Sequence, residues 1–561
     1  MSKAARNPHI ATLKSQFAER KIDRREFLRL ATLVGLSAPA AYAFIGELTG
    51  DGVAPRARAA AMPQGGTVRL GSRVKEIKNP HTYSWGEYDS NISRQVVEYL
   101  TFTDEHNVTH PSLCEKWDVS PDLKTWTLRL RQDVKWHKGR PFTADDVVWN
   151  LKHVLDPEVG SSVIGLMKGY MLTEYDTGQK DDKGNPKMST KLWDANAIEK
   201  VDDHTVRLNC KAPQVAVPEH LFHYPMAILD PEEKGVFGPG SNGTGAFDLT
   251  DFAVQKNAVL KARKDYWGDK PNLDQLEFVD VGDNPSAAIT AMASKQIHGL
   301  VGADPVQFDA LKALPGVELY QVETAETAVM RVKVTQKPFD NPKVRKAMRL
   351  AVDAPPILQV ALRGLGVVGD HTHVAPSMPD YAKIPPMKRD VAEAKKLLAE
   401  AGYPNGFDAE ITVDKEEAWH AAQVQAAAEQ WKDAGIRVSI KLLPGAQFWE
   451  VWDKVPFGCT VWYHRPLAIM LLGLAYRSGV PWNESNYSNP EFDKLLTEAE
   501  GMLDVDKRRE VIAKIEHIMQ EDGPLVQPVW RNNFTFIDKK VKGFTMHPTK
   551  YIFGNKLAIE A

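Results

Sequence analysis

Strand-like and helix-like segments alternate along most of this chain, and that alternation is the strongest constraint on its fold. The clearest unit is 418–441: residues 418–434 have helical spacing, Gly435 ends them, and 436–441 follow as a strand. Residues 391–401 form another helix stopped by a glycine, Gly402. Upstream, 65–71, 126–130, 204–209, 246–250, 258–262, 275–281, 317–322 and 329–334 read as strands. Helices are expected at 92–100, from Thr143 to about residue 155, and at 285–294 and 306–314. Thr143 is the cap of its helix, with Asp145 and Asp146 at the positive end. A further helix has Asn341 as cap and Pro342 in its first turn. A chain built this way is α/β. Its 561 residues are enough for two large lobes.

Charge is unevenly spread. Residues 1–61 hold ten Lys or Arg and five Asp or Glu, so the formal −3 of the whole chain leaves −8 for the rest. An acidic body with no basic stripe argues against a nucleic-acid partner. The basic start contains Asp23-Arg24-Arg25-Glu26-Phe27-Leu28-Arg29, then a weakly apolar stretch over 30–46, then Ala59 and Ala61 at a peptidase-like site. This pattern predicts a twin-arginine signal peptide over 1–61, with the mature protein starting near Met62. A retained membrane anchor is the competing reading, disfavoured by Thr32, Ser37 and Pro39 within the stretch. Such a signal predicts export of the folded chain to the periplasm of a Gram-negative bacterium. After it, no apolar run approaches spanning length; the longest, 466–476, is far too short.

Several motifs invite chemistry and lack its context. The glycines of 238–245 have no Gly-Lys-Ser/Thr ending and read as a tight turn. His371 and His373 have no further ligand at metal spacing, and Cys114, Cys210 and Cys459 are scattered. No nucleophile–base or paired-carboxylate arrangement is visible, so neither enzyme activity nor a cofactor or metal is expected. The polar stretch 173–190 reads as a surface excursion.

The densest chemistry is in 458–487. Trp462, Tyr463, His464, Arg465, Tyr476, Arg477, Trp482 and Tyr487 surround the apolar run 467–475. Rings that stack and an arginine fork suit a ligand cleft; a buried strand leading into a core helix would carry the same residues.

Residues 117–157, WDVSPDLKTWTLRLRQDVKWHKGRPFTADDVVWNLKHVLDP, resemble the signature of the family 5 extracellular solute-binding proteins. These are the peptide, nickel and opine receptors of ABC importers. Blocks at 243–278, 339–364, 390–407, 486–496 and 524–543 continue the likeness in family order. The resemblance implies a two-lobed periplasmic-binding-protein-like fold, type II and of the large peptide-binding subclass, with two hinge crossings. Placed on this sequence, lobe I covers 62–325, with an inserted subdomain at about 101–220, and 525–561; lobe II covers 326–524.

The implied function is a periplasmic receptor, monomeric and without cofactor. It would close on a peptide, opine or other zwitterionic or anionic solute and present it to an inner-membrane ABC permease. The alternatives are an exported metal-chelate or haem carrier using His464, or a secreted enzyme. The implied ligand-binding residues are Trp85, Gly86 and Glu87 from lobe I, and Trp462, Tyr463, His464 and Arg465 from lobe II. Where peptide binders of the family have an aspartate three residues after the tryptophan, pairing with the peptide ammonium, this chain has Arg465. A cation there repels an ammonium and attracts a carboxylate. Its competing role is a salt bridge to a neighbouring acid such as Glu87.

Overall fold

The computed structural model describes residues 8–22, 24–36, 38–49, 62–82, 86–180, 184, 186–415 and 417–561. One large sheet organises it. Its main path runs Phe247–Ala253, Asn257–Ala262, Gln275–Asp280, Thr67–Ser72, Gly299–Leu300, Val529–Asp538, Val317–Val332, Phe457–Trp462, Phe407–Asp414 and Ile436–Leu443. Thr67–Ser72 runs parallel to Gln275–Asp280 at one end, and Phe407–Asp414 parallel to Ile436–Leu443 at the other. Helices alternate with these strands, as the sequence periodicity predicts.

The strand Val317–Val332 joins the two halves. Its first part, Val317 to Val322, pairs with Asp538 to Asn533; its second, Thr327 to Val332, pairs with Trp462 to Phe457. A register shift lies between Val322 and Glu326. The sequence predicts two strands here, at 317–322 and 329–334. The polar run Glu323-Thr324-Ala325-Glu326-Thr327 breaks the alternation, yet the backbone stays extended through it. The chain returns beside it: Leu525–Val526 pairs with Met330 and Arg331 before Val529–Asp538 pairs with the first part.

A four-stranded antiparallel sheet, Cys114–Val119, Thr125–Leu130, Thr205–Asn209 and Ile198–Asp202, stands apart from the large one. Helix Ala144–Val154 packs beside it, its first turn closed by the Thr143 N–H donating to Asp146 (2.9 Å). The polar stretch 173–190 proves to be an exposed two-stranded ribbon, Leu172–Lys180 with Pro186–Leu192. Gly238–Gly245 is a loop held against the Gln95–Val96 backbone; a β-carbon on Gly243 would lie 1.9 Å from the Val96 carbonyl oxygen. All three cysteines are buried and free.

Two clusters form the main core. One unites the first half of the chain with the helices of 467–519; the other fills the second half beneath Phe407–Asp414 and Phe457–Trp462. Near the N-terminus, helices Pro8–Ala18, Arg24–Leu33 and Ala38–Thr49 pack together and against Val108 and Val505, with Trp117 Nε1 donating to the Leu33 carbonyl (2.8 Å). No helix among the described residues is long and apolar enough to cross a membrane.

Candidate functional site

A cavity of about 720 Å³ lies between the two halves of the sheet. Lobe II supplies a wall of rings: Trp449 and Trp452 at helix Gly445–Val451, Trp462 and Tyr463 at the end of Phe457–Trp462, and Trp482. Trp462 meets Trp482 edge-on (5.7 Å), Trp482 meets Trp452 (6.3 Å), and Trp452 meets Trp449 (5.8 Å). Such offset and edge-on contacts are the favoured geometry of packed aromatic rings. Lobe I supplies Arg73, Gly86, Tyr88, Asp89, Tyr224, Asp280 and Asp283.

The aromatic wall is fixed from behind by a buried charge pair. Glu484 accepts from Arg331 Nε (2.6 Å), Thr460 Oγ1 (2.6 Å) and Trp462 Nε1 (3.0 Å). Arg331 also donates to the carbonyls of Val455 (2.7 Å) and Trp452. One ion pair therefore sets both the Trp462 ring and the Trp452 backbone. An acid and a cation this deeply buried hold their places because each satisfies the other.

The predicted residues separate. Gly86, Trp462, Tyr463 and Arg465 line the cavity. Trp85 and the Glu87 side chain lie outside the described residues. His464 turns away: its Nδ1 accepts from the Ala325 N–H (3.0 Å) and its Nε2 donates to Asn107 Oδ1 (3.0 Å). It thus fastens the cleft strand to the crossing strand and to lobe I. With both ring nitrogens engaged, it is not placed as a metal or haem ligand. No group of three His, Cys, Asp or Glu suited to a metal occurs among the described residues. His371 and His373 are buried and neutral, pushed down to about 3 by burial, and face Gln527 and Tyr476.

Arg465 is buried, at 3% exposure, and no acid among the described residues pairs with it. Its Nη1 donates to the carbonyls of Tyr463 (3.1 Å) and His464 (3.0 Å), and its Nη2 to the Tyr224 hydroxyl (3.1 Å). Its Nε has no acceptor. Burial and the Arg465 charge hold His223 neutral. Three other cavity charges have partners of their own. Arg73 pairs with Asp283 (3.1 Å), and Asp280 accepts from the backbone N–H groups of Val74 (2.7 Å) and Gly282 (2.8 Å).

The two readings of 458–487 fall on different residues. Helix Ala468–Ala475 is buried along its whole length and is core; Trp462, Tyr463, Arg465 and Trp482 face the cavity. Sequence reasoning missed Trp449, Trp452 and Tyr224. Two tryptophans three apart on a short helix were a usable signal; Tyr224 had none.

A groove closed between two lobes, walled by rings and charges, is built to enclose a small solute. The sequence profile of the bacterial extracellular solute-binding proteins, family 5 Middle, matches residues 108–472. The chain belongs to that family. The periplasmic oligopeptide-binding protein OppA of Haemophilus influenzae is 28% identical over 510 residues, covering 86% of this chain and 91% of that protein. The structure of DppA from Helicobacter pylori in complex with the peptide STSA superposes with a TM-score of 0.75 at 21% identity, over 89% of this chain and 99% of that one. AgaA from A. tumefaciens R10 in complex with agropinic acid gives 0.76 at 22%, over 88% and 99%. The fold is therefore the two-lobed one of the periplasmic binding proteins, and the cavity of this family member lies between its lobes.

Proposed function

We propose that this chain is the substrate receptor of an ABC importer. It captures a peptide-like or opine-like solute between its lobes and hands it to an inner-membrane permease. The observation that carries this reading is the 720 Å³ cavity walled by both lobes, with Arg465 buried at its edge. That volume is of the size that encloses a small ligand. The ligand carries an anionic group that meets Arg465 and a planar or aliphatic part that stacks on Trp462, Tyr463 and the neighbouring tryptophans. The full set of binding residues includes Trp85, Gly86 and Glu87 from the lobe I loop. An ordinary peptide gripped by its ammonium is disfavoured, because a buried guanidinium repels that group.

The basic start, residues 1–61, acts as a twin-arginine signal, so the receptor works in the periplasm, as a monomer. The test is mass spectrometry of the small molecules released when the purified protein is denatured. A single carboxylate-bearing species at stoichiometric amount is expected, and adding it back raises the melting temperature. No released species, together with no melting shift across a panel of peptides, opines and aromatic carboxylates, refutes the reading.

A further inference from the structure

Beside the cleft lies a buried charge cluster that the ligand site does not use. Glu326 of the crossing strand and Arg531 of the returning strand face each other across the ladder, in ion-pair contact (3.2 Å). Lys550 adds a second cation on Glu326 (3.2 Å). All three are at most 1% exposed. The second acid comes from lobe II, away from the two crossing strands. Glu417, at the start of helix Ala418–Trp431, pairs with Arg531 and approaches Lys550 (3.8 Å). The next residue reinforces the contact: the Ala418 N–H donates to Asp304 of lobe I (2.8 Å). The Trp419 indole N–H donates to Glu417 (2.7 Å) and fixes its carboxylate.

We propose that Glu417 is an interlobe clasp whose engagement favours the closed receptor and is sensed from the ligand cavity through Tyr88. With the lobes together, two acids face two cations. When they part, Glu417 leaves with lobe II and Arg531 loses one of its two carboxylate contacts. A buried cation that loses its partner is strongly disfavoured, so the cluster biases closure. Tyr88 is the link to the ligand. Its ring lines the ligand cavity, and its hydroxyl donates to Glu417 (3.5 Å). A second, small cavity of about 40 Å³ lies between Tyr88, Glu417 and Arg531 and shares Arg73, Tyr88, Gly282 and Asp283 with the ligand cavity. A ligand that fixes Tyr88 therefore fixes a donor to the clasp. Glu417 is a positioning residue and need not touch the ligand.

The proposal rests on the receptor reading above, and its test is separable from that reading. Wild type and Glu417→Gln, as full chains, are freed of ligand by denaturation and refolding. They are compared by small-angle X-ray scattering and by iodide quenching of tryptophan fluorescence. Loss of the clasp lowers the closed-to-open ratio on the order of 100-fold. Ligand-free Glu417→Gln should therefore be more expanded than wild type, with its cleft tryptophans more open to iodide. Superimposable scattering and quenching overturn the clasp, even if the variant melts lower, because a merely structural role lowers stability without changing dimensions. If Glu417→Gln does not fold, Tyr88→Phe removes only the hydroxyl and is read the same way: a smaller shift in the same direction supports the clasp, and none overturns it. Whether denaturation releases a small molecule is scored separately, so failure of the receptor reading is not mistaken for failure of the clasp.

Discussion

Arg465→Met separates ligand recognition from folding. In the ligand-free protein the guanidinium makes three hydrogen bonds, two to carbonyls and one to the Tyr224 hydroxyl, but pairs with no acid among the described residues. Replacing it with a methionine of similar length loses those bonds, each worth about 1 kcal/mol, and relieves the burial of an uncompensated charge. The two nearly offset, so the ligand-free melting temperature should move by only about 2 °C. Binding should behave otherwise. A hydrogen bond to a charged group is worth about 1.5–3 kcal/mol, so losing a buried carboxylate contact weakens affinity by roughly 10- to 150-fold. The loss should persist at high salt, because a buried pair is poorly screened. The assay is titration calorimetry with the molecule recovered from the purified protein, paired with thermal melts of the ligand-free forms. An affinity change below about threefold refutes the anion contact. A large drop in ligand-free stability would instead make Arg465 a structural residue.

Three other substitutions probe the scaffold. Glu484→Gln breaks the buried pair with Arg331 and loosens Trp462, and should cost about 3 kcal/mol in urea unfolding while also weakening ligand binding. Glu516 carries a pH signature: burial pushes its carboxyl from 4.5 up to about 8. An acid raised in the fold stabilises most below the unfolded value, and that contribution drains away as pH climbs from about 4.5 to 8. Glu516→Gln keeps an acceptor for the Ala382 N–H, so it should match wild type near pH 5 and exceed it at pH 8.5 by up to about 4 kcal/mol. Equal pH profiles in thermal melts contradict this. Gly243→Ala drives a β-carbon into the Val96 carbonyl and should destabilise by about 3 kcal/mol, measured by thermal melting. An unaffected variant would mean the loop is not held by that backbone contact.

The fold class was legible because periodicity and capping are local. The glycine stop at Gly435 and the cap at Thr143 appear where the spacing predicts them. The crossing strand was not legible as one element. Its middle is polar because it passes between lobes, where Glu326 meets Arg531 and Lys550, and alternation fails where both faces are buried by charge. At the cavity, the placement of Trp462, Tyr463 and Arg465 in its lining was legible because they are contiguous with a strand end. His464 sits in the same run but lies just past the strand end, where its ring turns to the Ala325 N–H and Asn107. Tyr224 and the Arg331–Glu484 pair come from distant parts of the sequence and meet only in the folded protein.

The two walls of the cavity divide the work of recognition. On lobe II the rings are locked by Glu484 and Arg331, and Arg465 keeps an unused donor at Nε. That wall is preorganised, so a ligand meeting it first loses little to rearrangement. On lobe I, Asp280 accepts from the Val74 and Gly282 N–H groups and Arg73 pairs with Asp283. A ligand gains from lobe I mainly by closure, through Tyr88 and the Tyr224 ring beside Arg465. Differential affinity for the closed form is what drives closure. On the proposed receptor reading, lobe II decides which solute is held, and the lobe I contacts decide whether holding it shuts the receptor. Changes on the two walls should separate accordingly: Arg465→Met alters which ligands bind, whereas Tyr88→Phe leaves that order intact and lowers every affinity through the closing equilibrium. A Tyr88→Phe variant that reorders ligand preference would break this division.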